Sequence, residues 1–385
     1  MIRFLLFSFF LQVVKAKAAQ TLDFPEGIPE CGADALRFGL LAYTVQGRDV
    51  NLDIKRVVGY RQFCNKIWNA FKFTLTYIKG FEPFAGMDQY ILGAAQAQPR
   101  ERWILSRLNT TIAECDAAIG AYLFGNATSA LHAFFLYDVC DVYLEVCKPV
   151  FNDQSEGNAE QVRITQATLY LVLETFLRLA HPFMPFLTEE LWQRLPLRKL
   201  INSSRSIMIA SYPATSEDWT SAAAEKNMGL VQNTIHGARS LRADYKIANH
   251  IKADFYFRTE SAELKDALLA QSGDFCTLAR GNNLRFLESN EEAPKGCCVK
   301  VLSDSLSLLV DLTGIIDVET EITRLTKEIE RLTPMIETYK RKVSVPDYES
   351  KVPEAVRQVN ADKLASYEAE LEATLSAFST FQALK

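Results

Sequence analysis

Apolar residues recur every three or four positions through much of the chain, which is the spacing of helices with one buried face. In the first such stretch the apolar positions are Tyr60, Phe63, Cys64, Ile67, Trp68 and Phe71. The stretches with this spacing lie at residues 57–75, 103–119, 131–146 and 164–179. Because Trp68 falls on the buried stripe, its identity favours core packing over stacking on a nucleic-acid base.

A fifth helix is predicted after Pro185, where Thr188 can cap the helix and Glu189 and Glu190 fall in its first turn. The segments at 80–99 and around Gly125 carry glycine or proline and are predicted to be linkers. Short connections between successive helices favour an up-and-down bundle of about five helices.

The pattern changes after Tyr212 and Pro213. A helix over 222–239 is followed by residues 251–257, in which apolar and polar side chains alternate as in a half-buried strand. A short helix and three more strands are predicted to follow, the strands at 284–287, 297–302 and 306–310. This segment is therefore predicted to be a small α+β unit.

The last segment has the clearest periodicity. Its apolar residues step by three and four in alternation, the seam of a heptad coiled coil, at Ile322, Leu325, Ile329, Leu332, Ile336, Tyr339 and Val343. A turn around 345–347 precedes a returning stripe at Leu364, Tyr367, Leu371, Leu375 and Phe378. An antiparallel helical hairpin is predicted, with a kink at Pro334 because proline removes a helical hydrogen bond.

Composition indicates a folded protein, with 48% hydrophobic and 23% charged residues and a formal net charge of −5. The acidity argues against a protein that coats DNA, although an RNA-binding protein can concentrate its basic residues locally. None of the eight cysteines has the spacing of a zinc or redox motif, and most lie in apolar helical surroundings. We therefore expect no metal site, a reducing compartment and a cytoplasmic location, with no membrane span.

Residues 1–20 contrast with that expectation. Arg3 precedes an apolar run from Phe4 to Val14 and the small-residue sequence Ala16-Lys17-Ala18, in the order found in secretory signal peptides. The run is too short to cross a membrane as a helix. Two interpretations stay open: a targeting segment that routes the protein to an organelle or for secretion, or the product of a misplaced start codon. The abrupt junction between this segment and the residues after position 20 favours the second.

Several longer strings are similar to the valyl-tRNA synthetases, the class I enzymes that join valine to its tRNA. They comprise residues 24–38 (FPEGIPECGADALRF), 46–53, 63–70 (FCNKIWNA), 102–108, 140–145, 181–192 and 239–246. The first three resemble the stretch between the catalytic core of that family and its anticodon-binding domain, and the rest resemble the anticodon domain and its exit. The terminal hairpin, with residues 352–356 (VPEAV) opening its second helix, resembles the arm that lies along the tRNA elbow.

The resemblance implies a mainly α protein: a helical anticodon-binding bundle, a small α+β unit and a C-terminal antiparallel coiled-coil hairpin. The expected divisions are 1–20, a connector over 21–56, the bundle over 57–213, the α+β unit over 214–317 and the arm over 318–385. Isoleucyl- and leucyl-tRNA synthetases share the bundle but lack this arm, so the expected partner is a valine-accepting tRNA and not DNA.

The motifs with which that family activates valine do not occur in this sequence. No histidine lies in a His-Ile-Gly-His-type motif and no methionine follows a lysine as in Lys-Met-Ser-Lys-Ser. ATP and magnesium are therefore implied only for the full-length family, and no cofactor or catalytic residue is expected here. On its own the polypeptide is predicted to be inactive as a ligase. A separate catalytic chain or additional upstream sequence would have to complete an active enzyme, and a scaffolding protein is a third hypothesis.

Reading an anticodon requires unstacked bases held on aromatic or arginine planes, with basic side chains on the nearby phosphates. Eight residues are candidates for RNA contact: Lys66, Lys72, Arg102 and Arg107 in the bundle, and Lys340, Arg341, Lys342 and Lys351 around the hairpin tip. For each bundle residue the alternative is a solvated helix face, and charged runs on coiled coils also serve solubility.

Overall fold

The computed structural model describes residues 2–44, 52–288, 291–294, 296–303, 305–315, 318–344, 348 and 353–383. The chain forms two compact units, Met1–Met228 and Gly229–Lys385. The first is helical, and the second combines a small sheet with a helical hairpin, which confirms the predicted fold class. In the described parts of the chain, no helix is both long enough and apolar enough to cross a lipid bilayer.

The helices of the first unit are α1 (Ile2–Asp23), α2 (Ala33–Tyr43), α3 (Ile54–Tyr77), α4 (Met87–Gly93), α5 (Pro99–Gly120), α6 (Phe124–Ala133), a π-helical segment (Phe134–Tyr143), α7 (Leu144–Asn152), α8 (Ala159–Ala180) and α9 (Pro185–Arg194). Helix α10 (Ala222–Asp244) contains the boundary with the second unit. The predicted helices are all present. The predicted linkers are partly wrong, since 80–99 contains α4 and Gly125 lies inside α6.

Helix α8 lies at the centre of the bundle. Its side chains are buried on nearly every side, and the tilted ring of Phe176 packs against Phe135 of the π-helical segment with ring centroids 4.3 Å apart. A helix that is buried on nearly every side has to be enclosed by other helices. The π-helical segment continues directly from α6 into α7, so Leu131 and Val146 belong to one uninterrupted helical rod.

The start of α9 differs from the prediction. The helix begins at Pro185, whose fixed φ suits the first helical position, so Thr188 is an internal residue and not the cap. The Thr188 hydroxyl donates to the Met184 carbonyl at 2.8 Å. The capping role is taken by Asp34 of α2, whose carboxylate accepts a 2.6 Å hydrogen bond from the Leu187 backbone N–H. A residue 153 positions away along the chain thus satisfies the helix end.

The second unit contains β1 (Ala253–Thr259), α11 (Ala262–Ala270), α12 (Ser272–Ala279), β2 (Gly281–Phe286), β3 (Cys297–Ser303) and β4 (Leu306–Asp311). The four strands are ordered β2-β1-β4-β3. Strands β1 and β2 are parallel and joined through α11 and α12, whereas β4 is antiparallel to both of its neighbours. Phe255 and Phe257 of β1 pack edge-on against Phe275 of α12, each with ring centroids 5.3 Å apart.

The hairpin consists of α13 (Val318–Val343) and α14 (Glu354–Ala383). The rings of Tyr339 and Tyr367 lie 5.7 Å apart, and Tyr348 accepts a hydrogen bond from Asn360, so the helices are antiparallel as predicted. Leu325, Leu332 and Ile336 are buried in the seam, in agreement with the heptad pattern. The predicted turn at 345–347 lies outside the described residues.

Helix α13 continues through Pro334, which is exposed, and the kink at this residue stays a prediction. Two details of the second helix differ from the predicted stripe. Leu375 is 46% exposed, and Phe381, which the pattern did not include, is buried. The heptad step from Leu371 leads to Thr374, so Leu375 falls one position outside the seam.

Candidate nucleic-acid interface

Helix α3 is the most basic element of the bundle. Its 24 residues include five lysines and arginines and no acidic residue, in a chain whose net charge is −5. Asp53 caps its first turn by accepting a hydrogen bond from the Lys55 backbone N–H at 2.9 Å. A local excess of positive charge on an otherwise acidic protein is the arrangement by which such proteins attract nucleic acid.

One side of α3 is buried and the other carries this charge. Val57, Phe63, Ile67, Phe71 and Thr74 face the core, since all are less than 5% exposed. At about 100° per residue the opposite side presents four exposed residues, and exposed Lys79 follows just after the helix. The α3 basic face comprises Arg61, Asn65, Asn69, Lys72 and Lys79.

The cations of the α3 basic face are available to a ligand. In the described part of the chain, no carboxylate forms an ion pair with Arg61, Lys72 or Lys79. Lys66, at the edge of this face, lies 3.5 Å from Asp141, and both side chains are about half exposed. A solvent-exposed pair of this kind contributes at most about 1 kcal/mol, so a phosphate can compete for Lys66.

An aromatic ring borders the α3 basic face. Trp68 is half-buried, so the sequence-based assignment to the buried stripe is only partly right. The Arg194 guanidinium of α9 lies over its ring, 5.0 Å from the centroid. Indole and guanidinium planes are the two surfaces on which unstacked bases commonly pack. Basic, amide and planar groups therefore meet along one edge of the bundle.

The two candidate arginines of α5 are placed differently. Arg107 is engaged inside the bundle, with Nε 3.0 Å from Asp138 and Nη1 3.5 Å from Glu225. Burial lowers the pKa of Arg107, but these carboxylates outweigh it and the net pKa is raised. Arg102 is exposed and donates to the Leu92 carbonyl at 3.1 Å. The ion pairs of Arg107 therefore favour a structural role in the bundle, whereas the charged group of Arg102 lies at the surface.

The candidates on the hairpin lie in the last turn of α13, where basic residues also complement the helix dipole. Lys340 lies 2.8 Å from Glu368 on α14, and Arg341 lies 3.5 Å from Glu337. The Lys342 ammonium sits over the Tyr339 ring at 4.7 Å. Lys351, the fourth candidate, lies outside the described residues. The three described residues form one exposed cluster.

Metal and thiol chemistry do not compete for these surfaces within the described structure. Among the described residues, no group of three or more metal-ligating side chains is assembled. The eight cysteines are free, and burial raises the pKa of Cys64 and Cys298 to about 11 and of Cys115, Cys140 and Cys297 to about 12. Such thiols stay protonated at neutral pH and are poor nucleophiles or ligands.

Sequence reasoning identified Lys66 and Lys72 but not Arg61 and Lys79. The missing signal is the absence of any aspartate or glutamate from Ile54 to Lys79, which the sequence displays directly. Trp68 and Arg194 are 126 positions apart, so only the packing of α9 against α3 could bring them together.

Comparison with known proteins explains this arrangement. A family profile described as the anticodon-binding domain of tRNA ligases matches residues 101–257, and one described as the valyl-tRNA synthetase tRNA-binding arm matches 317–381. Valine–tRNA ligase of Takifugu rubripes is 40% identical over 380 residues, which span 97% of this chain and 30% of that protein. The chain corresponds to the C-terminal portion of the valyl-tRNA synthetase family.

Other valine–tRNA ligases agree. The valine–tRNA ligase of Mus musculus is 40% identical over 96% of this chain and 29% of its own length. The mitochondrial valine–tRNA ligase 1 of Arabidopsis thaliana is 37% identical over 92% of this chain and 32% of its own length. The chain thus spans about a third of the length of these valyl-tRNA synthetases. Because the Takifugu alignment covers 97% of this chain, fewer than 20 residues lie outside it. The alignment therefore includes some of residues 1–20. Helix α3 precedes the anticodon-domain match but lies within this alignment.

Proposed function

We propose that this polypeptide binds valine-accepting tRNA. The α3 basic face contacts the anticodon arm of the tRNA, and the helical hairpin contacts the remainder of the tRNA. The observation that carries the proposal is the α3 basic face itself: Arg61, Lys72 and Lys79 are exposed and without ion pairs in the described structure, on a helix with no acidic residue. The matches of residues 101–257 and 317–381 to anticodon-binding and tRNA-binding-arm profiles support tRNA as the ligand of the chain.

The proposed contacts divide into two kinds. Lysine and arginine side chains neutralise phosphates and release counterions, which gives affinity that falls with salt. The exposed amides of Asn65 and Asn69, between the cations, can donate and accept at base edges. Trp68 with Arg194 offers a plane on which a base can stack. Phosphate contacts thus place the RNA, and the amides and planar groups distinguish its bases.

The test compares the wild-type chain with R61Q/K72Q/K79Q in a filter-binding assay with valine tRNA over a salt series. Neutralising three phosphate contacts should weaken binding more than about tenfold and reduce the salt slope by about 3. The control is K15Q/K17Q/K199Q, which removes the same charge from exposed positions outside α3. Equal losses for both variants would show that only net charge matters, and no loss in the α3 variant would refute the site.

The proposal includes a preference for valine-accepting tRNA over other tRNAs. A non-cognate tRNA of similar size should bind more weakly than valine tRNA, because its anticodon bases differ. The alternative is recognition of tRNA shape alone, which predicts equal affinities. A competition assay with the two RNAs at one salt concentration separates these outcomes.

We further propose that the chain acts in the cytoplasm and that charging of tRNA requires a catalytic chain supplying the ATP and magnesium chemistry of the family. Pyrophosphate exchange with the purified polypeptide, valine and ATP should give only the background rate. Robust exchange by this polypeptide alone would refute the requirement for a second chain.

A further inference from the structure

The loop between α10 and β1 concentrates positive charge in the second unit. Lys246, His250 and Lys252 are exposed within seven residues. Arg280, at the end of α12, is also exposed and donates to the Asn249 carbonyl of this loop at 2.9 Å. These four residues are termed the basic loop. Within the described structure, Lys246, Lys252 and Arg280 have no carboxylate partner.

A buried arginine lies directly beneath the basic loop. Arg242 is 5% exposed and donates to the carbonyls of Arg280, Ala248 and Ile251 at 3.2, 3.0 and 2.8 Å. Burial, and then the charge of Arg280, lower the pKa of Arg242, as expected for a cation without a countercharge. The guanidinium fixes the course of the loop and adds to the positive potential above it.

The backbone holds two of these cations in an unusual conformation. Lys246 has φ 51° and Arg280 has φ 56°, the left-handed region that normally favours glycine or asparagine. Each residue closes a helix, so glycine would serve the fold better at both positions. Both positions therefore carry a long cationic side chain in a conformation that costs backbone strain.

Two acidic residues lie close to the basic loop along the chain, Asp244 and Asp254. The Asp244 carboxylate lies 3.8 Å from Lys300. The Asp254 carboxylate accepts hydrogen bonds from the side chains of Asn282 and Asn283 at 3.1 and 3.0 Å. The exposed amides of Asn282 and Asn283 extend a polar rim beside the cations, but they leave the negative charge of Asp254 in place, which offsets part of the charge of the basic loop.

The basic loop lies at the foot of the helical hairpin. The ring of Tyr245, the residue before Lys246, packs edge-on against Phe381 near the end of α14, with centroids 5.3 Å apart. The cluster Lys340–Lys342 lies in the last turn of α13, at the opposite end of a helix of 26 residues. Such a helix is about 39 Å long, so one extended polyanion could contact both clusters.

We propose that the basic loop is a further RNA-binding site, which holds the phosphate backbone of the tRNA at the foot of the arm. The inference rests on the proposed function, because it assumes that the hairpin lies along RNA. A lipid surface is a poorer ligand, since residues 245–252 include no strongly exposed large apolar side chain. An acidic protein would be expected to add apolar contacts to the charges, which this rim of amides does not offer.

The decisive variant is K246N/K252Q/R280N in the complete chain. Asparagine tolerates the left-handed conformation, so the thermal midpoint should equal or exceed that of the wild type. Affinity for valine tRNA should fall about tenfold at moderate salt, and the salt slope should fall by about 2 to 3. The matched control R258Q/K265Q/R285Q removes the same charge from the same unit and should change affinity less than about twofold.

The outcomes separate this inference from the proposed function. If the wild-type chain does not bind tRNA, both are wrong. If R61Q/K72Q/K79Q loses affinity but K246N/K252Q/R280N binds like the wild type, only the basic loop is refuted. Parallel titrations with phosphatidylserine vesicles and polyglutamate test the other ligand classes. Binding to either that depends on the basic loop, with tRNA binding unchanged, would also overturn the inference.

Discussion

Replacing Arg107 by methionine tests whether this arginine stabilises the bundle. The side chains of Arg107 and Asp138 are only 31% and 15% exposed, and the variant leaves the Asp138 carboxylate without its partner at 3.0 Å. Breaking a fully buried pair costs about 3–5 kcal/mol, and partial solvent access reduces this to about 2 kcal/mol here. Glu225, 3.5 Å away, loses a partner as well.

The pH dependence of R107M gives an independent check. Burial raises the pKa of Asp138, although Arg107 opposes the rise, so removal of the guanidinium raises it further. A carboxyl whose folded pKa exceeds its unfolded value destabilises the fold when ionised, and this cost disappears as pH falls below the folded pKa. The stability difference between R107M and the wild type should therefore be smaller at pH 5 than at pH 7.

Tryptophan fluorescence during urea denaturation isolates the relevant unit. The four tryptophans, at 68, 103, 192 and 219, all lie in the first unit, so their emission reports the bundle alone. The double variant R107M/D138N should recover part of the lost stability, because it removes the buried charge. The exposed Lys72→Gln should change stability by less than about 0.5 kcal/mol. If R107M kept wild-type stability but lost affinity for tRNA, Arg107 would be an RNA contact and this reasoning would be wrong.

Three further tests address other parts of the fold. Asp34→Ala removes the cap on the Leu187 N–H and should cost about 1–2 kcal/mol by the same fluorescence assay, and an unchanged urea midpoint would contradict the capping role. Burial lowers the pKa of His132 from 6.5, because it favours the neutral imidazole in the folded state. The contribution of His132 to stability is therefore present above pH 6.5 and is lost as the pH falls below it, since the unfolded state then binds the proton more readily. His132→Gln should accordingly reduce the difference in urea midpoint between pH 7 and pH 5. In the hairpin, Leu332→Ala should cost about 2–4 kcal/mol, while the exposed Leu375→Gln stays within about 0.5 kcal/mol; thermal melts followed by circular dichroism check the pair, and equal effects would refute the seam register.

Periodicity predicted the helices well because burial on one side of a helix leaves a repeat of 3.6 residues. The same logic identified the hairpin, where Leu325, Leu332 and Ile336 are buried as expected. It placed Leu375 in the seam wrongly, because an apolar residue at a plausible spacing cannot be distinguished from a seam residue when the partner helix is unknown. Local chemistry alone also misplaced the cap of α9.

The candidate interface was only partly accessible from the sequence. A run without acidic residues around Lys66 and Lys72 is visible by inspection, but whether a cation is available depends on its neighbours in space. In the sequence, Arg107 and Lys72 are both basic residues in a predicted helix and cannot be distinguished. One is held by two carboxylates from distant segments, and the other has none in the described structure.

The order of amino acids was sufficient to predict the helical bundle, the small α+β unit, the coiled-coil hairpin and the family, because periodicity and long specific strings are properties of the chain. Three features required the folded molecule: Asp34 caps α9, Arg194 lies over Trp68, and Arg280 donates to the Asn249 carbonyl in the loop before β1. Each of these depends on the meeting of residues that are distant along the chain. Burial and electrostatic interaction act through distance in space, which the order of residues does not contain.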